Sequence, residues 1–258
     1  MRFVALLLIV SAAFAQDPPS RPKILGVAHM AVFVKDLART RQFYEDFLGF
    51  GEPFTLPTKD GSGVRIAFVK INDNQYLEIF TEPDRDEGPL NHISVYTGDA
   101  DAMFAYLKAR RAPIMGSAGK VPKGMTGNKN FNVKDPDGHI VELVEYQPDS
   151  WTSREKGKFM PSTRIADRIA HVGVVSANQD ASTKFYAGVL GVPRDLVEFV
   201  SPGGQNHATL IVADLQKALA ELKRRAAKGL YSKPLEIRSG RIALYDPDGT
   251  LIELTAGF

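Results

Sequence analysis

Three glutamates in this chain stand where a carboxylate is costly: Glu78 in Tyr76-Leu77-Glu78-Ile79-Phe80, Glu142 in Ile140-Val141-Glu142-Leu143-Val144, and Glu253 in Leu251-Ile252-Glu253-Leu254-Thr255. A carboxylate held among such neighbours loses several kcal/mol of hydration unless it is paired or takes a proton. Four of the five histidines, His29, His92, His171 and His207, each open an apolar segment. Imidazole and carboxylate together bind divalent first-row cations, and such an ion removes the cost of burying the acids. Cysteine is absent, which excludes disulfides, thiolate metal sites, iron–sulfur clusters and a Cys nucleophile.

Period-two alternation decides which face of a strand each side chain takes. Leu77 and Ile79 share one face, as do Val141 and Leu143, and Ile252 and Leu254. Those faces pack on helices, and the glutamates point the other way. His29 lies with Ala31 and Phe33, opposite Met30, Val32 and Val34, and His92 lies with Ser94, opposite Ile93 and Val95. Taken singly, a mid-strand Glu faces solvent and a strand His is a packing residue. The recurrence of His and Glu together on one face, module after module, points instead to metal.

The modules are visible as internal repeats. His29–Phe50 and His171–Val192 both run His-x-x-Val, then Phe-Tyr, then Leu-Gly, 142 residues apart. Asn91-His92 recurs as Asn206-His207, 115 residues on. Asp135-Pro136-Asp137-Gly138 with Glu142-Leu143 recurs as Asp246-Pro247-Asp248-Gly249 with Glu253-Leu254, 111 residues on. The chain is therefore two halves of two modules each. Each module opens with a strand and continues into an amphipathic helix. Asp99 caps a helix with Ala100, Met103, Phe104 and Leu107 on one face, and Asp214 does the same for Leu215, Ala218, Leu219 and Leu222. The first helix opens at Asp36 or Leu37 and stops at Gly49. Strands follow over Val64–Ile71, Gln75–Phe80, Lys129–Lys134 and Ile140–Tyr146, with Asp-Pro-Asp-Gly as a tight turn. The expected architecture is α+β, four βαβββ modules forming cup-shaped sheets with helices outside.

The third module is short. Glu198 follows Glu78 by 120 residues rather than 142, so 22 residues are missing between Gly191 and Val197. The expected organisation is a signal peptide (1–15), a first domain (23–147), a linker (148–168) and a second domain (169–258). Arg2, the apolar Phe3–Val10 and Ala13-Phe14-Ala15 have the form of a secretory signal cleaved near Ala15, which implies a periplasmic or secreted protein. That stretch is too short to cross a membrane, and the formal charge of +2 with no basic run gives no nucleic-acid footprint, so neither is an expected partner. Trp151 is expected to pack between the halves. Lys223, Arg224 and Arg225 are expected on a solvated helix face, and Ile114–Asn128, with Lys120 and Lys123, as a solvated loop. His139 is left out of the ligand set.

The His-x-x-Val…Phe-Tyr…Leu-Gly segments and the Asp-Pro-Asp-Gly-x-x-x-Glu-Leu endings resemble the vicinal oxygen chelate superfamily, which includes glyoxalase I, the bleomycin-resistance proteins and the extradiol ring-cleaving dioxygenases. The resemblance covers nearly all of the chain after the signal. It implies paired modules curled into a cup around a divalent ion. Residue by residue, it implies His29, Glu78, His92 and Glu142 as ligands in the first half, a glyoxalase I type set. In the second half it implies His171, His207 and Glu253, with Glu198 aligned to Glu78. The short third module leaves that second cup incomplete, so the working site is expected in the first half.

The implied cofactor is Zn²⁺, Ni²⁺, Mn²⁺ or Fe²⁺, and the implied substrate is a small organic molecule with adjacent oxygens. The ion stabilises negative charge developing on those oxygens while a glutamate, Glu142 ahead of Glu78, moves the proton. Export argues against the thiol-adduct substrate of glyoxalase I itself, which belongs to the cytosol. The reading is a metal-dependent isomerase, lyase or dioxygenase. The alternative is a non-catalytic binding protein of the bleomycin-resistance type. The resemblance leaves open a homodimer.

Overall fold

A computed structural model describes residues 19–83, 88–116 and 119–257. The segment read as a signal peptide lies outside them. The first module is complete: β1 (Ile24–Val34), α1 (Leu37–Arg41), β2 (Gly51–Pro57), β3 (Val64–Asn72) and β4 (Gln75–Thr81). Asp36 opens α1 by accepting the Arg39 amide, and the helix widens into a π turn over Gln42–Phe47 before Gly49 ends it at φ 81°. The second module supplies β5 (Leu90–Thr97), α2 (Ala100–Ala109), β6 (Lys129–Lys134) and β7 (Ile140–Glu145). Its first post-helix strand shrinks to a single bridge from Ile114 to Val133. A short helix, α3 (Trp151–Arg154), lies in the linker.

The second half runs β8 (Arg168–Val175), α4 (Gln179–Thr183), β9 (Val197–Val200), β10 (His207–Ile211), α5 (Leu215–Arg225), β11 (Ile242–Tyr245) and β12 (Leu251–Thr255). The two sheets have one plan. The first is ordered β2-β3-β4-β1-β5-β7-β6 and the second β11-β12-β10-β8-β9. Read in the same direction, the second lacks counterparts of β2 and β3, the strands that the missing residues would have formed. In each, the first strands of two modules pair antiparallel, β1 with β5 and β8 with β10, and each is flanked by a parallel last strand of its own module. That pairing brings the His of one strand beside the Glu of the next.

Helix-facing residues of both sheets, among them Met30, Val32, Ile93, Leu143, Val172, Leu210 and Leu254, are buried in one continuous core. Reciprocal polar latches join the halves, the two tyrosine bonds buried and the two backbone ones at the surface. Tyr44 donates to Asp246 at 3.1 Å, and Tyr186 donates to Asp135 at 3.0 Å. The Lys35 amide donates to Asp248 at 3.2 Å and the Ala177 amide to Asp137 at 2.9 Å. The first module thus docks on the fourth and the third on the second.

Two surface expectations are corrected. Arg225 is buried rather than solvated, because it donates to the carbonyls of Phe47 and Thr163, stranded at the end of the first helix and in the linker. Trp151 does not pack between the halves. It stands edge-on to Phe54, with ring centroids 5.6 Å apart, in a small cluster with Leu56, Ile66, Phe68 and Tyr76 of the first module.

Candidate metal centre

The first cup brings together all four residues of the first-half set. His29 Nε2 and His92 Nε2 lie 2.9 Å apart, His29 Nε2 is 3.4 Å from Glu142 Oε1, and His29 Nδ1 is 3.6 Å from Glu78 Oε1. Registry explains the convergence. Glu78 sits opposite Ala31 on β1, Ala31 opposite His92 on β5, and Glu142 opposite Ser94 one strand further. His92 Nδ1–H donates to Asn91 Oδ1 at 2.8 Å, which leaves its Nε2 lone pair aimed into the set. The Ser94 hydroxyl donates to Glu142 Oε1 at 3.2 Å.

The electrostatics show what this set lacks. Burial, reinforced by the charge of Glu142, pushes the Glu78 carboxyl well above the usual range. Burial also pushes Glu142 up to about 7, against the Ser94 hydroxyl, which favours the ionised form. Burial, and then the adjacent His92, holds His29 well below an ordinary histidine, and burial alone brings His92 down to about 4. His29, His92 and Glu78 have ligand atoms within 4.8 Å of one another, and Glu142 adjoins them through His29, so the donor types are those of a divalent-cation site. Donor atoms bound side by side to such an ion at about 2.0–2.1 Å stand roughly 3 Å from one another, which the His29–His92 separation matches. The residues fit a divalent ion.

The cavity above the set is narrow, about 30 Å³, and is lined by Tyr76, Asn128, Asn130, Tyr146 and Thr152 besides His29, Glu78 and Glu142. The chain around Thr126 and Asn128, together with α3, forms its cover. Trp151 N donates to Thr126 O at 2.8 Å and Asn128 Nδ2 to Thr152 Oγ1 at 2.9 Å. The end of the segment expected as a solvated loop is therefore a buried wall, because Asn128 needs these partners. The cavity holds water-sized occupants. Tyr76 was missed from the sequence. Its hydroxyl is buried without a hydrogen-bond partner, and its position two residues before Glu78 on one strand already placed it on the same face.

The second cup assembles its residues differently. His171 Nε2 lies 3.0 Å from Glu198 Oε2, and His207 Nε2 lies 3.6 Å from Glu253 Oε2 and 3.9 Å from Glu198 Oε2. Between the two carboxylates stands a guanidinium. Arg241 NH1 donates to Glu198 Oε2 at 3.2 Å and also to Glu253 Oε2. Burial works to raise Glu198, but Arg241 and then His171 outweigh it and hold the carboxyl below its ordinary range. A cavity of about 710 Å³ opens over Arg241, Ala243, Tyr245 and Glu253. His139, outside both sets, pairs with Asp135 at 3.0 Å.

Two curved sheets built from paired modules, with His and Glu converging inside the cup, define a vicinal oxygen chelate fold. Residues 26–143 match the model of the Glyoxalase/Bleomycin resistance protein/Dioxygenase superfamily. Methylmalonyl-CoA epimerase of Bos taurus mitochondria is 25% identical over 150 residues, 52% of this chain and 83% of that one. A probable lactoylglutathione lyase of Vibrio parahaemolyticus is 29% identical over 126 residues, 46% of this chain and 89% of that one. Among solved structures, the 2,3-dioxygenase LapB from Pseudomonas sp. KL28 matches with TM-score 0.69 at 16% identity, over 93% of this chain and 94% of that one. The Mn(II)-bound glyoxalase from Novosphingobium aromaticivorans matches with TM-score 0.68 at 17% identity, over 90% of this chain and 82% of that one. At such identities these two show the fold alone. The relatives named here by activity are enzymes, an epimerase and a lyase.

Proposed function

We propose that this protein is a metal-dependent enzyme that moves a proton next to a carbonyl in a small substrate with adjacent oxygens, using the first cup. One observation carries the reading: His29, Glu78, His92 and Glu142 come together in a buried volume whose two acids meet no Lys or Arg among the described residues. These four residues would hold a divalent ion, which would supply a Lewis acid for negative charge on the substrate oxygens. Glu142 is the base, and the Ser94 hydroxyl holds its carboxylate in position. The Tyr76 hydroxyl faces the same cavity and donates to a substrate oxygen. Asn128 and Thr152, closing from above, keep bulk water from the reacting carbon.

Export accompanies this reading, on the strength of Arg2, the apolar Phe3–Val10 and Ala13-Phe14-Ala15. It favours a substrate other than a cytosolic thiol adduct.

The test is solvent-deuterium exchange at the carbon beside the carbonyl in a panel of small α-hydroxy and α-keto carbonyl compounds. The metal-loaded protein is expected to catalyse exchange in at least one of them. Glu142→Gln lowers that rate on the order of 10²–10⁴-fold, the usual weight of a general base. Retention of a panel member without exchange, equal in protein and variant, supports a ligand-sequestering protein and overturns the enzymatic reading.

A further inference from the structure

The two cups are built on one plan, yet among the described residues a cationic side chain enters the second and none pairs with the acids of the first. Ser94 and Glu142 of the first have Thr209 and Glu253 as counterparts, and Thr209 donates to Glu253 at 3.4 Å as Ser94 does to Glu142. His92 and His207 correspond as well. The difference is on the neighbouring strand. Ala243 faces Glu253 across β11 and β12 as Asn132 faces Glu142 across β6 and β7, so Arg241 stands where the first cup has Asn130. Asn130 is neutral and lines the metal cavity. Arg241 instead reaches across the set and binds both of its carboxylates.

The short third module makes this reach possible. Glu78 is shielded by β3, where Phe68 sits opposite it, and its side chain is 15% exposed. Glu198 lies on β9, the edge of its sheet, and is 41% exposed. With no strand beyond it, the edge carboxylate is open to a long side chain from the fourth module.

We infer that the second cup is a latent metal site in which the guanidinium of Arg241 takes the place of the ion, so that the chain loads one divalent cation, in the first cup. This inference rests on the first-cup reading for where the single ion sits. Charge supports it. A divalent ion neutralises the two carboxylates of the first cup. In the second it would meet a fixed guanidinium and leave the set with excess positive charge, which repels it strongly at such distances. The remaining donors are nonetheless ready. His207 is buried, its Nδ1–H donates to Gln205 O at 3.0 Å, and its Nε2 lone pair points at the carboxylates with no hydrogen-bond partner. Arg241 NH1 is directed to the carboxylate oxygens rather than to this nitrogen. Removing the guanidinium leaves two imidazoles and two carboxylates, the donor types of the first cup.

The test is metal stoichiometry by plasma mass spectrometry on full-length protein stripped, reloaded with Mn²⁺ or Zn²⁺ and desalted, beside a Mn²⁺ titration of the unaltered chain followed by electron paramagnetic resonance. The unaltered chain is expected to hold one ion. Arg241→Asn, which installs the first-cup residue, holds two, and Arg241→Asn with His207→Ala returns to one. Arg241→Lys, which keeps a cation in place, also holds one. Far-UV circular dichroism checks that the variants are folded. Two ions in the unaltered chain would show that metal expels the guanidinium and overturns the inference, with no variant needed. A folded Arg241→Asn that loads no more than the parent also overturns it. No ion in the parent and one in Arg241→Asn supports the latent site while contradicting the first-cup function.

Discussion

At the scale of single residues, the first cup is a place where electrostatics without an ion are unfavourable. Glu78 is buried beside another acid, and burial with the charge of Glu142 pushes its carboxyl up. Glu78→Gln keeps the shape and removes the ionisable group. The metal-stripped variant is therefore expected to melt about 2–4 °C above the stripped parent, for about 1 kcal/mol gained, while the metal-loaded variant melts below the loaded parent. Differential scanning calorimetry on both forms reads the crossover, and a variant less stable in both forms contradicts it. Ser94 is the partner that orients Glu142, and it is fully buried. Ser94→Ala is expected to weaken metal affinity about 10–100-fold, the usual weight of a residue behind a ligand, in competition with a chelating dye. Unchanged affinity means that Glu142 is held by other contacts.

At the scale of elements, the repeated motifs serve as latches. Asp-Pro-Asp-Gly reads as a tight turn from its proline and glycine. That its aspartates receive Tyr44 and Tyr186 from the other half could not be read, because those partners lie 202 and 51 residues away. Tyr44→Phe and Tyr186→Phe each remove a buried hydrogen bond to a carboxylate and are expected to cost about 1–3 kcal/mol in urea unfolding. A change within error would leave the latches without weight. His139 adds a pH term. Its hydrogen bond to Asp135 outweighs burial and raises its pKa above 6.5. The contribution is full below that ordinary value and is lost as pH rises through the raised one. The melting difference between the parent and His139→Asn is thus expected to be largest near about pH 5.5 and to shrink by about pH 8.5. A difference that grows with pH contradicts the pairing.

Alternation along β1, β4, β5 and β7 was enough to put His29, Glu78, His92 and Glu142 on one face, because side-chain direction in a strand is a local property. β2 was not legible. It carries Pro53 and Pro57, which edge strands tolerate, and its mostly half-buried residues show no alternation. Arg241 was equally hidden. It precedes β11 by one residue, and its significance depends on Glu198, 43 residues away.

At the scale of the molecule, one core and reciprocal latches join the halves despite their separate sheets, which predicts a single folding unit. Trp151 is the only tryptophan and packs on the first half, so its fluorescence reports that half while far-UV circular dichroism reports both. The two signals are expected to change together in a single urea transition, and separate midpoints would mean that the halves unfold independently. The same architecture gives the two cups different contents, imidazoles and acids alone in the first and a guanidinium between the acids in the second. The most direct measurement is a crystal structure of metal-loaded protein with anomalous difference density collected at the absorption edge of the added ion. One strong peak is predicted between the imidazoles of His29 and His92 and the carboxylates of Glu78 and Glu142. A peak beside His171 and His207 with none in the first cup, or ions bound only at the surface, would contradict the account.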